Sequence, residues 1–460
     1  MFKPFKTAIE IQQAYSRGES SSATLTQDLL GFIDTENSKY RAIRELNPDA
    51  LSIAKKLDTE REAGRLRSPL HGVPILLKDA FPTNDSMRTS YGVLALAELS
   101  TKFDSQLVSA LRNAGAIILG KCSCTDFGDY MSSIMPAEHS STGGIVSNPR
   151  GVRYGRGGGS STGSAAAVAA GFAPISIGSE AQNSIQGPAA NTGLCGFKPT
   201  VGALPSTREP SLVMSQTTAG VIANTVTDLA LVMGVLMPGA NFAGLANQSR
   251  RFKIGVPRRR IFARTGMRRY DEAFEKTLSE IDSSLFEIID NADLDNIDDL
   301  FDLPSVVFKT EFRKGLESLL TTPGVRSQHR QLGDIIQFNE THAKRAIPYG
   351  QDLLLAAAAT VTDDPAIYLA DRKRDISLSR ENGIDKILRD AELDALMVPM
   401  DFAAKITGKA GYPVITIPSG ETSEGSPFAI SFIGTANSEQ MLFDIGFVYE
   451  KAIAAKHNNV

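Results

Sequence analysis

The sequence contains no tryptophan and only three cysteines, Cys122, Cys124 and Cys195, in 460 residues. An odd count with no C-x-x-C pair excludes a disulfide framework and a structural zinc site, and it points to reduced thiols. The five histidines, His71, His139, His329, His342 and His457, show no HExxH spacing, which argues against a zinc hydrolase. An excess of either charge is also missing. With 48 Lys+Arg against 52 Asp+Glu the net charge is −4, which argues against a nucleic-acid partner or a polybasic membrane patch. The longest run of small apolar residues, Ala165 to Gly178, is interrupted by Gly171, Pro174 and Ser176 and falls short of a membrane span. The opening segment MFKPFKTAIEIQQAYSRGE becomes charged within a few residues and lacks the apolar stretch of a secretion signal. The expectation is a cytoplasmic protein with no membrane partner and no metal.

What is present is a chain that can bury a core, with hydrophobic residues at 42%. The first 65 residues read as helices: Leu25, Leu29, Leu30 and Ile33 recur at helical spacing behind a Ser22 cap, and Asn47-Pro48-Asp49 opens a second helix. Short apolar runs follow at 73–77, 116–119, 175–177, 252–256, 393–399, 414–418 and 427–434, each suited to a buried strand. Helical patterns lie between them at 108–114, 164–170, 225–236 and 271–285, across much of 290–390, and at 438–455. Strands alternating with helices predict an α/β fold, with layers of helices around a largely buried sheet.

Glycine is concentrated in one place. Fourteen of the 39 glycines fall between Gly143 and Gly202, where tight turns and close backbone approach become possible. Two serine-bearing segments lie there: Gly157-Gly-Gly-Ser-Ser-Thr-Gly-Ser164, and Gly178-Ser-Glu-Ala-Gln-Asn-Ser-Ile-Gln-Gly-Pro-Ala189. Upstream, the apolar run in His71-Gly-Val-Pro-Ile-Leu-Leu-Lys-Asp79 stops at Lys78-Asp79. Taken alone, Ser160 and Ser161 are helix-cap candidates, Ser184 a loop serine and Lys78 a surface charge. Gly155-Arg-Gly-Gly-Gly-Ser160 echoes a phosphate loop but lacks Gly-Lys-Ser/Thr. His71 reads as a turn residue held in the core, and Asp79 as a structural acceptor beside the lysine.

Together, and in this order, the three motifs resemble the amidase signature family, and the match continues through Gly193-Leu-Cys-Gly-Phe-Lys-Pro-Thr-Val-Gly202. The resemblance implies a single large α/β/α domain over residues 1–460 around a mixed, mostly buried sheet. Its parts would be N-terminal helices (1–65), the signature core (66–240), a variable and mostly helical region (250–390), and C-terminal strands and a helix (391–460). It implies Ser184 as nucleophile, Ser160 as a bridging serine held after a cis Gly159–Ser160 peptide, Lys78 as base, and no cofactor. The backbone N–H groups of Ala181, Gln182, Asn183 and Ser184 would form the oxyanion hole. Chemically, a serine hydroxyl attacks only if a positioned group takes its proton, and a lysine can do so only when neutral.

The sequence departs from the family pattern in several places, above all beside Ser184. Gln182 and Asn183 stand where glycines commonly precede the nucleophile, so Asn183 is expected to supply a left-handed turn and the Gln182 side chain to enter the pocket. Gln186-Gly187 replaces a larger or charged pair, and Gln186, with Gln182, is a candidate for substrate contact. The expected reaction is hydrolysis of a carboxamide through an acyl-enzyme, with a small amide or an amidated peptide as substrate. Acyl transfer by the same triad, and a noncatalytic binding protein on the same fold, are the alternatives. Composition carries no information on oligomeric state.

Overall fold

The computed structural model describes residues 4–154, 158–204, 212–237, 239, 240, 242, 250–259, 268–360 and 365–457. Gly155, Arg156 and Gly157, which open the glycine-rich segment, lie outside them. Eleven strands among the described residues form one mixed sheet. In chain order they are β1 (Ile43–Leu46), β2 (Pro74–Lys78), β3 (Ile117–Cys122), β4 (Ile175–Glu180), β5 (Cys195–Lys198), β6 (Thr218–Ala223), β7 (Phe252–Val256), β8 (Phe286–Asp290), β9 (Ala395–Pro399), β10 (Val414–Glu421) and β11 (Pro427–Ile433). Across the sheet they run β1-β3-β2-β4-β6-β5-β10-β11-β9-β7-β8. The fold is α/β, as the alternation of patterns predicts.

β3, β2 and β4 are mutually parallel, whereas β6 runs antiparallel to β4. Every residue of β2 and β3 is buried, which is why both read as unbroken apolar runs rather than alternating patterns. Parallel neighbours bring the C-terminal ends of β2 and β4 side by side, and such ends are where open α/β sheets place their ligands. Lys78 is the last residue of β2, and Ser179 and Glu180 end β4.

The helix Thr162–Ala169 is alanine-rich and buried from Thr162 through Val168, so its narrow side chains let it lie close against the sheet. The helix Val226–Leu236 begins where expected, with the Thr225 hydroxyl accepting from the Asp228 N–H. At the N-terminus the cap is Ser21, not Ser22: its side chain accepts from the Thr24 N–H. The helix expected over 271–285 runs instead from Arg268 to Glu280, and the chain then turns into edge strand β8. A second apolar cluster, with Tyr91, Phe127, Met131, Phe312 and Leu316, joins the helix Val307–Thr321 to the segments after β2 and β3. That helix roofs the cavity above the strand ends.

Candidate active site

A cavity of about 930 Å³ opens over the C-terminal ends of β2 and β4. Lys78, Ser160, Ser179, Ala181 and Ser184 line one side, and Phe308, Glu311, Phe312 and Lys314 of the roof helix line another. The three residues singled out in the sequence, 106 positions apart at their extremes, therefore share one cavity wall. Lys78 Nζ lies 2.6 Å from Ser160 Oγ and donates to the Ser179 carbonyl at 3.1 Å. Burial holds the Lys78 ammonium below the ordinary lysine range, against the opposing pull of Cys124, Asp129 and Glu180. Ser184 is 7% exposed.

Local chemistry explains how the two serine segments meet. The Ser161 N–H donates to the Ser184 carbonyl at 3.2 Å, and the Ser161 hydroxyl joins the Ser179 backbone at 3.3 Å. Gly159 has φ +72°, and a Cβ there would stand 2.6 Å from the Asn183 carbonyl and 2.8 Å from Ser184 Cα. Only glycine allows the strand of chain carrying Ser160 to lie this close to the Ser184 loop. The Gly159–Ser160 peptide is trans: no cis bond occurs among the described residues, so the cis peptide implied by the family resemblance is not found. The proximity is reached through the positive φ of Gly159 instead.

Glu180 is not singled out by the sequence motifs, although it lies four residues before Ser184. Its buried carboxylate accepts the N–H groups of Ile185 at 2.6 Å and Gln186 at 2.9 Å, fixing the turn immediately after Ser184. Burial raises its carboxyl pKa and Lys198 draws it back. An acidic residue just ahead of a small-residue loop and a helix start is the available signal.

Gln182 and Gln186 do not line the cavity. Substrate contact by these side chains, expected from the sequence, is replaced by contacts within the protein. Gln186 is buried, with its amide donating to Glu180 and to the Gln182 carbonyl, and the Gln182 amide donates to Gln216 at 3.2 Å. Nor does Asn183 adopt a left-handed conformation; its φ is negative and its amide reaches Asp401 at 3.4 Å. The loop turns without a glycine because neighbouring side chains hold it from outside.

The flanking polar residues are structural. Asp79 accepts from the Ser90 N–H at 3.0 Å and pairs with Arg44 at 3.3 Å, so it anchors the segment that carries Tyr91 to the cavity. His71 is fully buried against the Leu57 carbonyl at 2.9 Å. Burial pushes the Cys122 and Cys124 thiols up to about 12, which keeps them protonated. Among the described residues no group of three His, Cys, Asp or Glu side chains could hold a metal ion, and no helix is long and apolar enough to cross a membrane.

The amidase family model matches residues 24–408. The chain belongs to the amidase family. It is similar to a probable amidase of Arabidopsis thaliana, 30% identical over 97% of this chain and 90% of that protein. It is also similar to a glutamyl-tRNA(Gln) amidotransferase subunit of Chloroflexus aggregans, 26% identical over 97% and 96% of the two chains. Among solved structures, the native peptide amidase of Stenotrophomonas maltophilia superposes with a TM-score of 0.88 at 32% identity, covering 97% of each chain. An amidase family protein of Bacillus anthracis gives 0.86 at 28% identity, over 97% of this chain and 90% of that one. This amidase is thus a hydrolase of carbon–nitrogen bonds other than peptide bonds, and the noncatalytic alternative falls away.

Proposed function

We propose that this amidase cleaves the terminal carboxamide of a substrate with a bulky acyl part, such as an amidated peptide, through a Ser184 acyl-enzyme. The observation that carries the reading is the 2.6 Å contact between Lys78 and Ser160 in the cavity wall that also presents Ser184. Neutral Lys78 takes the Ser160 proton as Ser160 takes that of Ser184, and the Ser184 oxygen bonds to the carbonyl carbon. The same relay returns a proton to the departing nitrogen, and the C–N bond breaks. Water then repeats the sequence on the acyl-enzyme and releases the acid. Backbone N–H groups of the 181–184 loop meet the developing oxyanion, where one donor is typically worth about 3–4 kcal/mol.

Several features support a large acyl group. A cavity of about 930 Å³ far exceeds what a formamide or acetamide fills, and its lining includes Phe81, Tyr91, Phe127, Leu204, Phe308 and Phe312. The likeness to a peptide amidase over 97% of both chains points the same way.

The test pairs an alkyl fluorophosphonate with a panel of peptide amides. Intact-mass analysis should show one adduct on the wild type and none on Ser184→Ala, and ammonia release from the panel should disappear with the same substitution. Adduct formation on another serine, or peptide-amide turnover surviving in Ser184→Ala, refutes the assignment.

A further inference from the structure

Among the described residues lining the cavity, Glu311 is the one carboxylate, and it is 7% exposed. It sits on the helix Val307–Thr321, between Phe308 and Phe312, which also line the cavity. Both of its oxygens are engaged: the Ser215 N–H donates to one at 2.8 Å and the Tyr368 hydroxyl to the other at 2.6 Å. Tyr368 remains a hydroxyl, because burial and then Glu311 itself push its pKa up to about 12.

Both donors are neutral, so neither contact brings a positive charge to the carboxylate. No cation stands within ion-pairing distance of Glu311 among the described residues. Arg372 acts on it only at longer range, its guanidinium donating to the carbonyls of Lys409 and Ser215. Lys314 is exposed on the same helix and unpaired with it. The carboxylate thus stands in an aromatic wall with no described cation in direct contact, so a cation entering the cavity would gain both its charge and the rings of Phe308 and Phe312 as partners.

We propose that Glu311 receives a protonated amine on the acyl part of the substrate. The preferred substrates are then amides of amino-bearing acyl groups: amino-acid or peptide amides with a free ammonium at the reach of this wall. The inference rests on the catalytic reading above and specifies which acyl groups that site accepts. A carboxylate has about four lone-pair sites and Ser215 and Tyr368 take two, so an ammonium need not displace either.

Two series of probes test it. The first comprises straight-chain primary amides ending in an ammonium, with two to eight carbons, each matched to the alkanamide with a terminal methyl. The second comprises fluorophosphonates whose alkyl chains end in an ammonium or a methyl, which report acylation of Ser184 without requiring turnover. At one chain length or more, the ammonium member should be favoured in kcat/KM and in labelling rate by about tenfold or more. Glu311→Gln should bring the ratio towards one. Glu311→Asp, which keeps the charge, should retain part of it and provides the comparison if the glutamine variant does not fold. Wild type showing no ammonium preference at any length, or Glu311→Gln retaining the full ratio, overturns the inference while leaving the nucleophile assignment intact. Failure of both fluorophosphonates to label Ser184 overturns the catalytic reading and the inference with it.

Discussion

Gly408 lies against the back of the loop proposed to hold the oxyanion, and adding one methyl there should slow the reaction without unfolding the enzyme. A Cβ at position 408 would stand 2.5 Å from the Ala181 carbonyl oxygen and 2.7 Å from Gln182 Cγ. Ordinary contacts need about 3.5 Å, so one partner must retreat by about 1 Å. The helix Ala404–Ala410 that carries Gly408 is poorly placed to yield. Lys409 Nζ pairs with Asp375 at 2.7 Å and donates to the Leu300 carbonyl at 3.1 Å, while Arg372 and Arg380 hold the Lys409 and Ala410 carbonyls at 2.8 and 2.6 Å. The displacement therefore falls on residues 181–184. A donor moved by that distance loses much of an interaction worth about 3–4 kcal/mol, so kcat should fall by about 10- to 1000-fold. Alanine gains up to about 1 kcal/mol in helix propensity against an overpacking cost of about 1–3 kcal/mol, so the variant should fold with a modestly lower Tm. Steady-state kinetics on a peptide amide, with thermal melting alongside, measures both. An unchanged kcat with a lowered Tm would falsify the argument, because the helix would then have absorbed the methyl.

Lys78→Ala should lose nearly as much activity as Ser184→Ala, whereas Ser160→Ala should keep a residual rate that rises with pH, since water can replace a bridging hydroxyl; a Lys78→Ala enzyme retaining most of its turnover rules out the relay. Because Lys78 must be neutral to act and burial lowers its pKa, kcat/KM should rise with pH to a plateau whose midpoint lies below the ordinary lysine value of 10.5. A rate–pH profile still climbing with the slope of an unperturbed lysine contradicts this. Gln182→Gly should lower Tm by removing the Gln216 contact and change KM by no more than about twofold, because Gln182 does not line the cavity. A KM raised tenfold would restore Gln182 as a substrate contact.

The strands legible in the sequence are those buried on both faces. β7 occupies the five residues anticipated, Phe252 to Val256, because Phe-Lys-Ile-Gly-Val is flanked by arginines and ends at a proline. β1 and β8 carry no such signal because they are the sheet's two edges: only the first residue of each is buried, and charged side chains interrupt them. β6 is hidden for a different reason. Thr-Ala-Gly-Val-Ile-Ala is half small residues, and Gly220 is required by the close passage of the Phe197 carbonyl, 2.2 Å from where its Cβ would be. Neighbouring-strand contacts of that kind have no local signature. The same holds for strand order, which rests on pairings such as β5 with β10, more than 200 residues apart.

The candidate site divides along a similar line. Lys78, Ser160 and Ser184 are legible because each sits in a short motif whose glycines or apolar run constrain only adjacent residues. What surrounds them acts across the fold. Where glycines commonly precede the nucleophile, a loop can turn through its own backbone freedom; here Gln182 and Asn183 fill those positions, and the loop is held by Gln216 and Asp401, contributed from segments 34 and 218 residues away. Glycine is still needed, but on the opposing element: Gly408 leaves the room that the Gln182 side chain takes up. The apparent loss of glycine from the motif is thus a transfer of the close approach from the loop to the helix behind it. Substitutions at 182 and 408 should therefore couple in a double-mutant cycle, with Gln182→Gly relieving part of the kcat defect of Gly408→Ala, because removing the Gln182 side chain abolishes the 2.7 Å conflict and leaves only the one with the Ala181 carbonyl. Additive effects on kcat would mean that the two positions do not share the space the structure gives them.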